Sequence, residues 1–592
     1  MNRVAGICAL FSAVMLFAAC QGGKGEAATL SAENSIVIGA EQMPKSLNFF
    51  VDYNTFSIEV GQLLYESLCE RNMETWELEG RLARSWTVSP DKLTYTFTLN
   101  PDARWADGSP VTSDDVIFTY KTIMDPKNLT SLFRLDYEAS FTNVYAPDKQ
   151  TVVFKARNRR WSNFISAYSF AVLPKHEYEK GDFNKDFNIS LPPGSGPYII
   201  EDAQPERFII LKKRDDYWGK DLPQKAAMYN FERIKYKFIL DDEIRLEALK
   251  KGDIDLAFPP SAKKWVEWTE ENPPYQVKQN WIVAKKVYNH HPLGYSGFHM
   301  NMRRELFKDV RVRRAMAYLL NVKLINEKIM YNQYIPLYSY FPDFFNNDAD
   351  LPHFDYDPDK ARALLAEAGW DRVDSDGVLI NRQGRRFEVE FPYGSSSIEK
   401  HLTVYKEDCA KVGIRINLNL LSAAAYTKKV FEDHDFDMVW VSWGRDTRFP
   451  SVEDGWRGDR ADAPNTNNIV GYKNPELDKL LDPYLEEYDV DKRIQILKKI
   501  DLILANDVPT VLLWYAPYVR FFYWNKFATP AAVLKKYADT YSEDSYITDW
   551  RIDEGKQQAL EQAVSGNKAL PAEDVNIYYD EGLKEKDAAL SD

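Results

Sequence analysis

Two hydrophobic periods alternate along this chain, and that alternation restricts the fold more than any other feature. Residues 93–99 (LTYTFTL) and 150–155 (QTVVFK) repeat every second position, which makes them half-buried strands. Residues 35–39 and 438–441 are short apolar runs rich in β-branched and aromatic side chains, the pattern of fully buried strands. Between them the period lengthens to that of a helix over 57–68, 113–124, 310–330, 358–368, 398–411 and 490–505. Residues 374–391 read as a hairpin around the turn 381–384. Strands interleaved with helices, rather than clustered, give an α/β chain. At 592 residues it is long enough for two or three domains.

The N-terminus has its own signature. Arg3 precedes an apolar run over 4–17 and small residues before Cys20, which is a secretory signal. The ending Leu16-Phe-Ala-Ala-Cys20 resembles a bacterial lipoprotein box, so residues 1–19 are expected to be removed, Cys20 lipidated and 20–33 left as a tether to a membrane. Cleavage after Ala28, giving a secreted protein, is the alternative. No later run approaches 18 apolar residues, so nothing else is expected to span a bilayer. A net charge of −14 and a pI near 5.3 argue against nucleic acid as a partner. The basic clusters 157–160 and 303–314 are expected to be ordinary solvated faces. Cys69 and Cys409, each within a helical pattern, are expected to be buried free thiols, too few for a disulfide framework.

No catalytic or cofactor motif emerges. Gly194-Ser195-Gly196 lacks the nucleophile elbow because Pro193 and Pro197 hold its flanking glycine sites. Among seven histidines there is no H-E-x-x-H, and the cluster His290, His291, His299 cannot aim all three at one ion. The acidic run Asp371–Gly377 lacks the bidentate glutamate of a calcium loop, and no phosphate cradle is present. Neither an enzyme nor a bound metal or cofactor is expected. One stretch asks for a ligand: after the strand at 438–441 comes a loop of about thirty residues, beyond the usual length of a structureless connection. Trp440, Trp443 and Trp456 in and around it argue against disorder.

The ordered series LARSW (82–86), LTYTFTL, RWADGSPVTSDDV (104–116), GSGPY (194–198), RDDYW (214–218) and LEALKKGDID (246–255) is similar to the family 5 extracellular solute-binding proteins of ABC importers. Residues 294–321 and 547–556 resemble its YejA-type branch, receptors for oligopeptides and microcin C. The resemblance covers about 34–556. It implies a type II periplasmic-binding-protein fold: lobe I from 34–80, 195–288 and 507–556, an extra domain at 81–194, lobe II at 289–506, and a charged extension at 557–592. Lobe crossings are expected near 289 and 506, and the extension is expected to be a helix of modest stability with a mobile end. The implied function is capture of an oligopeptide or peptide-like solute by a monomer that hands it to the transmembrane subunits of an ABC permease. The same family includes carbohydrate and nickel-complex binders, and a sensor or adhesin role is the alternative from another class.

The resemblance also points to a site. Family receptors pair the ligand's α-ammonium with an acid at the end of this strand, which makes Asp446 the first candidate. The following Thr447-Arg448-Phe449-Pro450 departs from the dipeptide-receptor pattern Asn-Gly-Asp-Pro. Glu453, Asp454 and Asp459 are rival acids, and Arg445 is a further candidate ligand contact as well as a possible partner of one of them. Trp440, Trp443, Trp456 and Tyr472 are candidate walls, because aromatic faces bury much area for little rotamer entropy. Arg303 and Arg304 read as fold-stabilising cations before ligand contacts.

Overall fold

The computed structural model describes residues 34–41, 43–445, 447–463, 465–539 and 546–591. The signal and Cys20 lie outside them, and among the described residues no helix is long and apolar enough to cross a membrane.

Lobe I is built on an eight-stranded mixed sheet in the order 576–578, 282–288, 518–524, 256–257, 35–40, 233–238, 208–213, 198–204. Ser35–Ala40 lies inside it, parallel to Arg233–Phe238. Ile36 and Ile38 face one core and Val37 the other, which is why this strand is apolar throughout. The extra domain carries a four-stranded antiparallel sheet, 83–88, 94–99, 151–156, 141–148. Tyr95, Phe97 and Leu99 are buried and the intervening threonines are not fully so, as the period of two requires. Ser113–Met124 starts on a capping box formed by Thr112 and Asp115.

Lobe II holds the antiparallel strands Met438–Trp443, Tyr295–Met300 and Thr510–Leu512, a parallel pair Glu388–Tyr393 with Arg415–Leu420, and flanking helices including Glu399–Ala410 and Val490–Asp507. The lobes are joined by residues 289–294 and by the stretch between Trp514–Tyr515 and Tyr518–Trp524. The second crossing falls about ten residues beyond the expected 506, because Thr510–Leu512 is hydrogen-bonded into the lobe II sheet.

Several expectations need correction. The helical stretch 310–330 is two helices, Val310–Tyr318 and Val322–Lys328; Asn321 breaks the run by capping the second. Cys69 belongs to a strand, Cys69–Arg71, because the preceding helix stops at Leu64; both thiols are buried and free. The turn at 381–384 forms, but its second arm continues as a strand paired in parallel with Arg415–Leu420. The extension is an integral part of lobe I. Helix Glu554–Ser565 buries Leu560 and Ala563 against Trp281, and Asn576–Tyr578 extends the main sheet beside Ile282–Tyr288. Gly194 and Gly196 are glycines for a packing reason: a Cβ on either would stand within 2.0–2.5 Å of the Leu63 or Leu64 carbonyl oxygen.

Candidate functional site

The strand Met438–Trp443 runs antiparallel to Tyr295–Met300, with Trp443 opposite Tyr295 and Trp440 opposite Phe298. Alternation sends Trp440 and Trp443 to opposite faces. Trp440 packs toward the core around Phe298 and Tyr405 and donates its indole N–H to Ser296 Oγ at 3.1 Å. Trp443 packs on the other side, 6.4 Å from the rings of His299 and Phe431. The two candidate walls therefore face opposite sides of the strand. The strand ends at Gly444, where a Cβ would meet no atom within 4 Å. Its other flank is closed: a Cβ on Gly294, in the first crossing, would stand 1.7 Å from the Trp443 carbonyl oxygen. The strand end is thus clamped against the interlobe connection on one side and open on the other.

Arg445 follows directly. Its guanidinium pairs through Nη2 with Asp343 on the short helix Pro342–Phe345 and lies 5.5 Å from the centre of the Phe344 ring. Burial raises the Asp343 carboxyl above the ordinary range, and the Arg445 charge offsets only part of that. From the crossing, His291 joins the same field. Burial holds its imidazole low; Arg445 and His290 push the same way and Asp539 opposes them. Asp539 also acts on Glu59 of the lobe I helix Thr55–Leu64. The Glu59 carboxyl is pushed up to about 8, chiefly by burial, with the Tyr236 hydroxyl donating to it at 2.9 Å and Asp539 raising it further. Lobe I thus brings the Glu59 and Asp539 carboxyl groups to this field and lobe II the Arg445–Asp343 pair.

The other candidates sit as follows. Asp446 lies outside the described residues. Trp456 and Tyr472 are buried in the lobe II core, their rings 5.6 Å apart edge to face, with the Tyr472 hydroxyl donating to Asp507 at 2.7 Å. They are core residues and not cleft walls. Asp454 pairs with Arg460 at 2.6 Å, each close to half exposed, an ordinary surface pair. Asp459 is exposed. The long loop is partly helical, with Val452–Trp456 and Gly458–Arg460 as short turns. Arg303 is a fold residue that donates to the Ile469 and Asn468 carbonyls at 2.7 and 3.1 Å and so fastens the loop to lobe II. The histidine cluster is dispersed: His290 bonds Asp580, His291 bonds Asn289, and His299 is buried between Thr510 and the Val441 carbonyl. Among the described residues, Asp107, His176 and Glu177 bring ligand-type atoms within 4.8 Å of one another, but on the surface of the extra domain. A separate cavity of about 520 Å³ lies within lobe II, between Leu320, Tyr338, Phe354 and Val511.

One functional feature was absent from the sequence reading. In the basic cluster 157–160, Arg157 and Arg159 are exposed as expected, but Arg160 pairs with Glu453 of lobe II at 2.8 Å. Next to it Trp161 enters the lobe II core. Its indole N–H donates to the Tyr484 carbonyl at 3.0 Å, and the Arg493 guanidinium lies 4.6 Å from its ring. Tyr488 donates to the Arg160 carbonyl at 3.0 Å. The extra domain therefore grips lobe II directly. The Arg-Arg-Trp triplet at 159–161 is the only sequence sign of this contact.

Comparison with known proteins agrees with this architecture. Residues 77–453 match the model of the bacterial extracellular solute-binding proteins, family 5. A putative binding protein of Brucella melitensis is 26% identical over 526 residues, covering 80% of this chain and 81% of that one. A probable peptide-binding protein, YejA, of Agrobacterium fabrum is 27% identical over 518 residues, covering 79% and 82%. The fold is that of the oligopeptide-binding protein AppA of Bacillus subtilis, solved with a nonapeptide: TM-score 0.69, 24% identity, 88% of this chain and 100% of that one.

Proposed function

This chain belongs to the family 5 bacterial extracellular solute-binding proteins, and from that premise we propose that it captures oligopeptides or peptide-like solutes between its lobes and delivers them to an ABC permease. The observation that carries the reading is the open end of the strand Met438–Trp443 at Gly444, beside the interlobe crossing. An extended peptide offers a repeating set of N–H and C=O groups that such a strand end can match without reading side chains. The name of the Agrobacterium relative points to the same solute class. In this proposal Asp446 pairs with the solute's ammonium, since a charge enclosed between lobes needs a partner. Trp443 supplies an apolar wall, and the protein acts as a monomer. A lipid on Cys20 holds it at a membrane, a reading supported by the sequence that precedes that residue.

Isothermal titration against a mixed peptide library tests the central claim: micromolar binding is expected, and no heat from any pool rejects it. Asp446→Asn should weaken amine-terminal peptides far more than amine-blocked ones; equal losses remove Asp446 as the anchor. Cys20→Ala should move the protein from the membrane fraction to the soluble fraction.

A further inference from the structure

We propose that the cavity within lobe II is a binding site for a neutral aromatic molecule carrying a hydroxyl group, apart from the solute site described above and independent of it. Its volume of about 520 Å³ is more than three times the ~150 Å³ that holds a benzene in an engineered core, and it falls within the roughly 300–1,000 Å³ of small-molecule sites. Two features of its walls ask for an occupant. Tyr340 is 2% exposed, and its hydroxyl is buried without a hydrogen-bond partner among the described residues. Thr510 stands beside it, but the Thr510 hydroxyl is engaged by His299 at 3.0 Å. Asn326 and Tyr356, also on the wall, are satisfied: the Asn326 amide holds the Tyr334 backbone through both its ends, and Tyr356 donates to Asp408 at 2.9 Å. A buried hydroxyl left unpaired is rare and costly, so a polar atom entering the cavity would complete it. The second feature is Val508, which ends helix Val490–Asp507 at φ +49°. A β-branched residue in the left-handed region is strained, and such strain gathers at ligand sites.

The lining defines the chemistry of the occupant. Leu320, Leu337, Val508 and Val511 are buried and give the cavity apolar walls, to which Tyr338 and Phe354 add aromatic rings that favour another ring at stacked or edge-to-face distance. Among the described lining residues the charged ones are Lys323 and Asp355, both exposed and of opposite sign. A charged molecule would therefore lie in the interior without a counter-ion, which is costly. A neutral ring with one hydroxyl meets both demands: its faces cover apolar wall, and its oxygen pairs with Tyr340.

The test uses the full processed chain and three probes of one shape, 2-naphthol, naphthalene and 2-naphthoate, followed by equilibrium dialysis at neutral pH. We expect 2-naphthol to bind at least about tenfold tighter than either of the others. Tyr340→Phe keeps the cavity and removes the hydroxyl, so it should bring 2-naphthol and naphthalene to within about twofold of each other. Because the unpaired hydroxyl is a liability in the empty cavity, the same change should leave the melting temperature equal or higher; a clear fall would show that the hydroxyl already has a partner and would overturn the proposal. Ala317→Phe, which fills the cavity from the end of helix Val310–Tyr318, should abolish 2-naphthol binding, and Ala505→Leu serves if that variant fails to fold. Binding that persists in a folded, filled variant puts the probe elsewhere and overturns the proposal. So does the absence of 2-naphthol binding, tighter binding of naphthalene or 2-naphthoate, or a ratio unchanged in Tyr340→Phe. None of these readouts involves a peptide, so failure of the peptide reading leaves them standing.

Discussion

At the scale of single residues, two enclosed carboxyl groups make stability depend on pH in a defined direction. Glu59 titrates near 8 in the folded chain against an ordinary 4.5, and Asp501 near 7 against 3.8, in both cases because burial disfavours the charge. Each holds its proton more tightly when folded, so its contribution is complete below the unfolded value and is lost as pH rises through the folded one. His299 works oppositely, held near 3, but that effect is spent above its ordinary 6.5. Between pH 6.5 and 8.5 the urea midpoint should therefore fall, and Glu59→Gln should flatten the fall; a midpoint that rises across this window contradicts the assignment. Two neighbouring glycines make a sharper pair. Gly294→Ala puts a Cβ onto the Trp443 carbonyl, whereas Gly444→Ala puts one into open space. Chemical denaturation should show a loss of about 1–3 kcal/mol for the first and little for the second. Equal losses would mean that the crossing is not clamped at that point.

At the scale of elements, the C-terminal segment should behave as part of lobe I. Trp281 donates its indole N–H to the Lys568 carbonyl at 2.8 Å, Lys285 reaches the Asp574 carbonyl at 2.7 Å, and Asn576–Tyr578 covers the edge of Ile282–Tyr288. Removing residues 557–592 would bare that edge and the Trp281 pocket, so we expect a lower melting temperature and aggregation on heating; an unchanged melting curve would show the segment to be dispensable. The sequence could not display this role. A three-residue strand has no measurable period, and helix Glu554–Ser565 buries only Leu560 and Ala563. Where a segment supplies its own pattern, the reading was direct: Tyr95, Phe97 and Leu99 alternate with threonine and are buried as alternation demands. The site was less legible for a related reason. An aromatic residue in a long loop looks the same whether it walls a ligand or fills a core, so Trp456 and Tyr472 were indistinguishable from Trp443 until their neighbours were known. Asp343 lies about a hundred residues before Arg445, and no local pattern links them.

At the scale of the whole molecule, the question is what holds the extra domain against lobe II. Trp161, Arg160 and Tyr488 form a contact between the extra domain and lobe II. If the contact exists only when the lobes are closed, its energy sets the closed fraction before any solute arrives, and apparent affinity scales with that fraction. Burying a tryptophan is worth several kcal/mol in a core, about 3–5 for truncation to alanine, and an interdomain site should realise part of this. Trp161→Ala should then enlarge the radius of gyration without ligand, weaken peptide binding by about tenfold or more, and leave the saturated complex as compact as the wild type. A permanent joint predicts something else: lower stability, with the same radius and affinity in both proteins. Small-angle scattering with and without ligand, paired with titration of the same samples, separates the two. The Arg160–Glu453 pair refines the answer. Burial raises the Glu453 carboxyl above the ordinary range, with Arg160 opposing. Arg160→Gln would leave that carboxyl buried without its cross-domain cation and so favour opening, in the same direction as Trp161→Ala. Opening by both variants would identify the contact as one formed on closure, and opening by neither would place the moving joint elsewhere, at the crossings on either side of Gly294 and Tyr515.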